Sequence, residues 1–345
     1  MEYNNILIIK MSSLGDILHT LPFAAALRSR FGEAKITWLV HPQFADFLPS
    51  KPIIDEVICF DKEGFKRLSL MDKIRYFCKM RQTLHSKKFD LVIDMQGLFK
   101  SAVLAAISGC KRRIGYCEMR EGSGLVSKAI CGENKNAHVI ERYLDVARYL
   151  GAKSEVIEFP MPNFDEAFES VRKKFGKIDE KYIVMAVGAR WKTKEWPIEH
   201  FAKLAQMISK DGLRVVLVGG KDDKKKAEKL VSLAGSEAKN ITDLAGETTL
   251  GELAALIKNC AVFISADTGP LHIAAAFKKP LIALYGPTLA NRTGPYADDG
   301  ASVILTSAAC AGCLKKRCSD WHCMRDIAPE VVHGVFKEKL GQIDG

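Results

Sequence analysis

The residues best suited to chemistry in this chain lie in short polar segments that directly follow apolar runs. In one of them, Asp267, Thr268 and Gly269 precede a stretch of small apolar residues that is typical of a helix and carries His272 in its first turn. Unpaired backbone N–H groups and the positive end of the helix dipole suit such a turn to bind a phosphate or diphosphate. The alternative is a purely local role, because Asp and Thr are also common helix caps.

A second segment places one carboxylate, Asp16, among Ser12, Ser13 and Gly15, at the end of the apolar run at residues 5–10. A carboxylate near a helix start has its charged form favoured, so Asp16 could act as a general base near neutral pH. A helix cap is again the alternative.

Three cations follow another apolar run, at residues 182–187. They are Arg190, Lys192 and Lys194, and Trp196 comes directly after them. A cation here could stabilise negative charge on a leaving phosphate, which favours Lys194 as a functional residue. The alternative is a basic loop, with Trp196 packed in the core in either case.

The apolar run at residues 214–218 ends before three carboxylates, Asp222, Asp223 and Glu228. A carboxylate after such a strand often binds a ribose hydroxyl. The pattern leaves the choice open, with Asp223 as our prediction.

Along both halves of the chain, continuous apolar runs alternate with helix-like stretches. Such runs are typical of buried parallel strands. Neither a G-x-G-x-x-G nor a G-x-x-x-x-G-K-[ST] motif is present, so the sequence shows no dinucleotide fingerprint or P-loop. The sequence therefore predicts an α/β protein with two Rossmann-like domains.

The domain boundary falls near Phe-Pro-Met-Pro-Asn at residues 159–163, where the alternation stops before it restarts. We predict an N-terminal domain at residues 1–160, a linker region at 161–180, a second domain at 181–326 and a C-terminal helix at 327–345.

The chain has 345 residues, 48% of them hydrophobic, and a formal net charge of +10, which favours an anionic partner. Nucleic acid is not expected, because no reading helix, RNP run or zinc-finger spacing is present. No signal peptide and no apolar run of the ~18 residues that span a membrane are found, so a cytoplasmic protein is expected. The basic stretch at residues 62–86 is interpreted as a solvated face.

Ten cysteines are present, and six scattered ones are expected to be reduced thiols, at positions 59, 78, 110, 117, 131 and 260. The other four form the pattern C-x₂-C-x₄-C-x₄-C with His322 adjacent: Cys310, Cys313, Cys318 and Cys323. Free or disulfide-linked thiols are our prediction, with a structural zinc site as the alternative.

Four motifs, spread over nearly the whole chain, resemble those of the ADP-heptose:lipopolysaccharide heptosyltransferases, glycosyltransferase family 9. They are K-x-S-S-L-G-D at residues 10–16, D-x-Q-G-L-x-K-S at 94–101, W-x-T-K-x-W-P at 191–197, and D-T-G-x-x-H with Y-G-P-T at 267–288. The second motif is nearer to the type that adds the first heptose. The resemblance implies the GT-B architecture, with two Rossmann-like domains facing across a cleft and the C-terminal helix packing back on the N-terminal domain.

The resemblance also implies an inverting, metal-independent transfer of L-glycero-D-manno-heptose from ADP-heptose to the Kdo region of the lipopolysaccharide inner core. Asp16 would be the catalytic base. The donor would be held by residues of the second half of the chain: Arg190, Lys194, Asp223, Asp267, Thr268, Gly269 and His272. No cofactor is expected.

An anionic, lipid-linked acceptor such as Kdo-lipid A is implied, with the inner leaflet of the inner membrane as a second partner. Its predicted ligands are Lys10, Ser12, Ser13, Gly15, Gln96, Arg120 and Arg142. Arginine suits them because its guanidinium binds carboxylates and phosphates through two parallel hydrogen bonds. Ion pairs with Glu121 and Glu141 are the alternative for the two arginines.

The resemblance implies a cytoplasmic protein bound peripherally to the inner membrane. A family 9 enzyme with another sugar donor or acceptor is the alternative function, and a nucleotide-sugar epimerase is a more distant one.

Overall fold

The structure, a computed structural model, describes residues 2–153, 156–176, 181–296 and 300–344. The chain divides into two compact units, Met1–Pro162 and Asn163–Gly345. Part of the predicted linker region, residues 177–180, and the last residue, 345, lie outside the described residues.

The first unit is a six-stranded parallel sheet with the strand order β3-β2-β1-β4-β5-β6. Its strands are β1 (Asn5–Ile9), β2 (Lys35–Val40), β3 (Glu56–Cys59), β4 (Leu91–Asp94), β5 (Arg113–Tyr116) and β6 (Lys128–Ile130). Its helices are α1 (Leu14–Arg30), α2 (Lys62–Arg67), α3 (Leu70–Ser86), α4 (Phe99–Ile107) and α5 (Val139–Tyr149).

The core of this unit forms because β1 is apolar on both faces. Leu7 and Ile9 of β1 belong to one buried cluster with Met80 and Leu84 of α3 and Leu104 of α4. The helices α1 and α5 pack against each other. Because the strands are parallel, their carboxyl ends lie at one edge of the sheet, where the loops before α1 and α4 begin.

The second unit repeats this topology. Its sheet has the order β12-β11-β10-β7-β8-β9, which read from the other edge places the first strand of the unit third, as in the first unit. Its strands are β7 (Tyr182–Ala186), β8 (Arg214–Val218), β9 (Ile241–Asp243), β10 (Val262–Ala266), β11 (Leu281–Tyr285) and β12 (Ala301–Leu305). Its helices are α6 (Asp165–Phe175), α7 (Ile198–Lys210), α8 (Lys224–Ala234), α9 (Leu250–Asn259), α10 (Gly269–Ala276), α11 (Ala290–Thr293), α12 (His322–Arg325) and α13 (Pro329–Asp344).

The last helix, α13, completes the core of the second unit. Val332 and Phe336 are fully buried in one cluster with Ile264 of β10, Ile282 of β11 and Trp196. The helix also packs along α7. That α13 returns to the first unit stays a prediction.

The predicted α/β class is confirmed by both sheets. Among the described residues, no helix combines the length and the apolar character that a bilayer crossing requires.

Candidate functional site

Asp16 lies at the third position of α1, half-buried, and the N-cap of this helix is Ser13. One carboxylate oxygen, Oδ2, accepts hydrogen bonds from the backbone N of Ser13 at 2.9 Å and from its Oγ at 2.8 Å. The structure thus gives the cap position to Ser13, while Asp16 completes a capping box. Gly15 is buried beside it in the first turn. The carboxylate is held in a fixed orientation, which a general base requires.

Gln96 joins the loop after β4 to the loop after β1. Its Oε1 accepts hydrogen bonds from the backbone N of Met11 at 3.0 Å and of Ser12 at 3.1 Å. The backbone N–H groups of Gln96 and Gly97 in turn donate to Oδ1 of Asp94, at 3.0 and 2.9 Å. The side-chain oxygen of Gln96 therefore holds the loop that leads to Asp16, and the acceptor contact predicted for Gln96 stays a prediction.

Asp94 is fully buried at the end of β4. Burial raises the pKa of this carboxyl group, although hydrogen bonds from the backbone N of Gly97 and from Ser101 act in the opposite direction. Its three donors fix the start of the loop that carries Gln96.

Lys10 is 2% exposed, and its Nζ points into the first unit. It donates to the backbone O of Met95 and to the hydroxyl of Tyr143, both at 2.8 Å, and lies 4.9 Å from the centre of the Tyr143 ring. Burial raises the pKa of Tyr116, the second ring beside Lys10, to about 12. These contacts indicate that Lys10 helps to position the same loops, and its predicted acceptor contact stays a prediction.

The two arginines predicted to meet the acceptor have different environments. Arg142, on α5, is 3% exposed and forms an ion pair with Oε1 of Glu118 at 2.6 Å. The sequence alternative named Glu141 as its partner, but Glu141 pairs with Arg148. Arg120 is exposed and forms no ion pair within the described part of the chain. Arg120 is therefore the better candidate for an anionic ligand.

The segment that carries Arg120 is tied to the loop of Gln96. The backbone N of Arg120 donates to the backbone O of Gly97 at 2.8 Å. A disulfide between Cys117 and Cys131, whose Cα atoms are 4.6 Å apart, closes the segment. The prediction of reduced thiols is wrong for this pair, because spacing alone does not show that β5 and β6 are neighbours.

In the second unit, Asp267 follows β10 and is 8% exposed. Its Oδ2 lies 2.6 Å from Nζ of Lys194, and its Oδ1 lies 3.9 Å from Nε2 of His272. The N-cap of α10 is Thr268, whose side chain forms no capping hydrogen bond, and Gly269 begins the helix. Asp267 is therefore not a cap, because its carboxylate holds a cation and a histidine beside the start of α10.

Two buried hydroxyl groups lie next to this cluster without a hydrogen-bond partner in the described structure: Oγ1 of Thr268 and Oγ1 of Thr288. They follow β10 and β11, which are neighbouring parallel strands, so both belong to one edge of the sheet. The hydroxyl of Tyr285 is also buried there; burial and then the charge of Asp267 raise its pKa. A buried hydroxyl without a partner costs about 1–3 kcal/mol, so this edge is built for a polar ligand.

The loop that carries Lys194 is held in place from the C-terminal side of the unit. Oγ1 of Thr193 donates to the backbone O of Lys315 at 2.8 Å, and Nε1 of Trp321 donates to the backbone O of Thr193 at 3.1 Å. The ammonium groups of Lys194 and Lys316 lie 4.4 and 5.1 Å from the centre of the Trp191 ring.

Lys316 was missed from the sequence because it lies among the cysteines, far from any recognised motif.

Arg190 is exposed and forms no hydrogen bond or ion pair with the described residues.

Asp223 lies in the turn after β8. Its Oδ2 accepts a hydrogen bond from the backbone N of Gly220 at 3.0 Å, and its Oδ1 pairs with Nζ of Lys226 at 3.0 Å. Asp222 and Glu228 are exposed. The ribose contact predicted for Asp223 stays a prediction.

The four clustered cysteines are free thiols: Cys310, Cys313 and Cys318 lie in an irregular segment that packs on the loop after β11, and Cys323 is buried in α12. The backbone N of Gly312 donates to the backbone O of Gly286 at 2.9 Å. Sγ of Cys310 lies 4.0 Å from Nε2 of His322, and burial raises the pKa of Cys323. Throughout the described ranges, no three His, Cys, Asp or Glu side chains form a group that could hold a metal.

Residues 77–323 match glycosyltransferase family 9 (heptosyltransferase). The chain is 29% identical over 280 residues to lipopolysaccharide heptosyltransferase 3 of Escherichia coli K12, covering 79% of this chain and 80% of that protein. It is 29% identical over 324 residues to lipopolysaccharide heptosyltransferase 1 of Pseudomonas aeruginosa, covering 91% and 87%.

Among solved structures, the E. coli ADP-heptose lipopolysaccharide heptosyltransferase II matches with a TM-score of 0.80 and 24% identity over 100% of both chains. This match confirms the predicted GT-B fold.

Proposed function

This chain belongs to glycosyltransferase family 9 (heptosyltransferase), and we propose that it transfers L-glycero-D-manno-heptose from ADP-heptose to the Kdo region of a lipopolysaccharide inner core. The family favours a transferase over the epimerase that the sequence left open. Relatives named heptosyltransferase 1, 2 and 3 are 28–29% identical, so the first-heptose type rests on the D-x-Q-G-L-x-K-S motif.

The observation that carries the proposal is the unsatisfied polar edge of the second unit. Among the described residues, the buried hydroxyls of Thr268 and Thr288 have no hydrogen-bond partner, and Asp267 holds the ammonium of Lys194 at the same edge of the sheet. Together with the start of α10, this edge offers hydroxyl, ammonium and N–H donors to a diphosphate. The same donors would stabilise the charge on ADP as the bond to the sugar breaks, so the reaction needs no metal ion.

In the transfer, Asp16 accepts the proton of an acceptor hydroxyl as the oxygen attacks the anomeric carbon of the heptose. The new carbon–oxygen bond forms on the face opposite to the leaving group, the bond to the β-phosphate oxygen breaks, and ADP leaves with both electrons. The configuration at the anomeric carbon is therefore inverted. Ser13 and Gln96 hold Asp16 and its loop in place.

The acceptor in this proposal is a lipid-linked saccharide such as Kdo-lipid A, met at the cytoplasmic face of the inner membrane. Arg120 supports an anionic acceptor because it is exposed and has no carboxylate partner within the described part of the chain. Its segment is bonded to the loop of Gln96, so a ligand of Arg120 would lie near the base loop.

The test is transfer from ADP-heptose to Kdo₂-lipid A with three proteins: the natural chain, Asp16→Asn and the matched control Asp46→Asn. Asp46 is an exposed aspartate of the same unit. We expect product with the natural chain and the control, and a loss of about 10²–10⁴-fold with Asp16→Asn at unchanged ADP affinity. Full activity of Asp16→Asn would return this residue to a structural role. If the natural chain binds ADP but transfers no heptose to Kdo₂-lipid A, the proposed acceptor is contradicted and the proposed donor is not.

A further inference from the structure

The positive charge of this chain is concentrated in one short segment. Residues 62–88, which contain α2 and α3, hold nine lysines and arginines against two acidic residues, a net +7 out of the +10 of the whole chain. A surface that is only solvated does not need its charge collected in this way, so the segment indicates an anionic partner.

Four of the nine cations have an acidic partner. Lys62 and Lys66 lie near Glu63, Arg75 pairs with Asp72, and Lys87 pairs with Glu56. Arg67, Lys79 and Arg81 are exposed and form no hydrogen bond or ion pair with any residue that the structure describes. Their charge is directed to the outside.

Helix α3 also exposes large apolar side chains. Leu70, Met71 and Ile74 are 78%, 61% and 51% exposed, whereas Met80 and Leu84 of the same helix are buried in the core. Leu70 and Ile74 are four residues apart and Met71 and Ile74 three apart, so the three side chains form one outward strip. An apolar strip flanked by lysines and arginines is typical of a helix that lies in the interface of an anionic bilayer.

We propose that the α3 face, defined by Leu70, Met71, Ile74, Lys79 and Arg81 of α3 together with Arg67 at the end of α2, docks this protein on an anionic lipid bilayer. The apolar strip enters the headgroup region, and the cations contact lipid phosphates. A bilayer fits better than a protein partner because it satisfies both the diffuse positive charge and the apolar strip without any shaped pocket.

A second apolar surface supports the same orientation. Phe99 and Leu125 are 61% and 94% exposed and line an apolar groove of about 350 Å³ along α4. Helices α3 and α4 pack on one core. Helix α4 comes after β4, and α3 comes after β3 and the short helix α2. Both connections leave the carboxyl edge of the sheet, which also carries the loops of Asp16 and Gln96. Resting on the proposed function, this placement would present a membrane-embedded acceptor to the base.

The test is co-sedimentation of the full chain with two kinds of vesicle. One is phosphatidylcholine alone, and the other contains about 30% phosphatidylglycerol, which makes its surface anionic. The apolar variant carries Leu70→Ser, Met71→Ser and Ile74→Ser. The charge variant carries Lys79→Glu and Arg81→Glu. Its matched control carries Lys210→Glu and Lys225→Glu on exposed helix positions of the second unit, so both lower the net charge from +10 to +6.

We expect the natural chain to bind anionic vesicles and to be released by salt. The apolar and charge variants should each bind about tenfold or more weakly, and the control should bind within about twofold of the natural chain. An equal loss in the charge variant and its control would overturn the proposal, since only net charge would matter. So would failure of the natural chain to bind, or a dimer of the natural chain that the apolar variant loses, which would assign the face to self-association. Unchanged melting and ADP affinity show that each variant is folded.

Activity separates this proposal from the proposed function. The apolar variant should retain transfer to a deacylated, water-soluble acceptor and lose about tenfold on the same acceptor embedded in vesicles. Equal transfer to both acceptors by this variant would contradict the role of the α3 face. Absence of transfer by the natural chain on either acceptor would contradict the proposed function, while vesicle binding would still decide on the face.

Discussion

Replacing Lys194 with methionine separates a donor contact from a structural ion pair. The ammonium of Lys194 lies 2.6 Å from Oδ2 of Asp267, with the two side chains 15% and 9% exposed. Methionine keeps an unbranched apolar side chain and removes the ammonium, with its hydrogen bond to Asp267 and its contact with the ring of Trp191. The variant therefore tests the ammonium group itself.

Two separate effects are expected, one on ADP binding and one on folding stability. Loss of one charge-assisted hydrogen bond to a diphosphate costs about 1.5–3 kcal/mol, which raises the Kd for ADP by roughly 10–150-fold. Asp267 also loses its cation in a nearly buried place, which lowers the free energy of unfolding by about 3 kcal/mol. The first effect needs a ligand with a diphosphate, and the second does not.

The assay is calorimetric titration of ADP and of adenosine, with Lys192→Met as the matched control. Lys192 is exposed in the same turn and forms no ion pair with the described residues. We expect Lys194→Met to lose affinity for ADP but not for adenosine, and the control to keep both. An equal loss of affinity for adenosine and for ADP in Lys194→Met would indicate a distorted site and contradict a diphosphate contact. An equal loss of ADP affinity in the Lys192→Met control would contradict it as well.

Two further predictions concern positions that act through other groups. Gln96→Leu removes the acceptor of the Met11 and Ser12 backbone N–H groups, so kcat should fall and the free energy of unfolding should drop by about 2 kcal/mol, while ADP affinity stays; Gln96→Glu, which keeps the acceptor, should restore most of both. Burial alone would raise the pKa of Glu252. The hydrogen bonds that this carboxylate accepts, above all from Lys174, outweigh burial and lower the pKa to about 2. Because this folded-state pKa lies below the ordinary 4.5, the stabilisation of roughly 3 kcal/mol is present above pH 4.5 and is lost as the pH falls from 4.5 towards 2. Urea unfolding should therefore show a deficit for Glu252→Gln at pH 7 that disappears near pH 2, and a deficit that does not change with pH would contradict this assignment.

The central strands could be predicted from sequence because each is a continuous apolar run, as in Val262–Ala266. The strands Arg113–Tyr116 and Lys128–Ile130 could not, because they are three or four residues long and contain charged residues. Neither position carries the long apolar run that identifies a buried strand.

The candidate site shows the same limit at the level of single residues. The local pattern around Asp267 suits a cap, and only the tertiary fold, which places Lys194 beside it from 73 residues away, shows another use of the carboxylate. Lys10 stands in a motif together with Asp16, yet its side chain turns into the core, because motif membership does not determine direction. Arg142 and Glu118 likewise form a pair that no sequence spacing indicates.

The shared strand order of the two units has a consequence for synthesis of the chain. In each unit the sheet and its buried cluster are built from residues of that unit only. The N-terminal unit can therefore assemble its core on the ribosome before the C-terminal unit has emerged, with roughly ten seconds or more available at ordinary elongation rates. Folding then proceeds as two successive searches over short stretches of chain rather than one search over the whole, which limits the time for which apolar strands are exposed to other nascent chains.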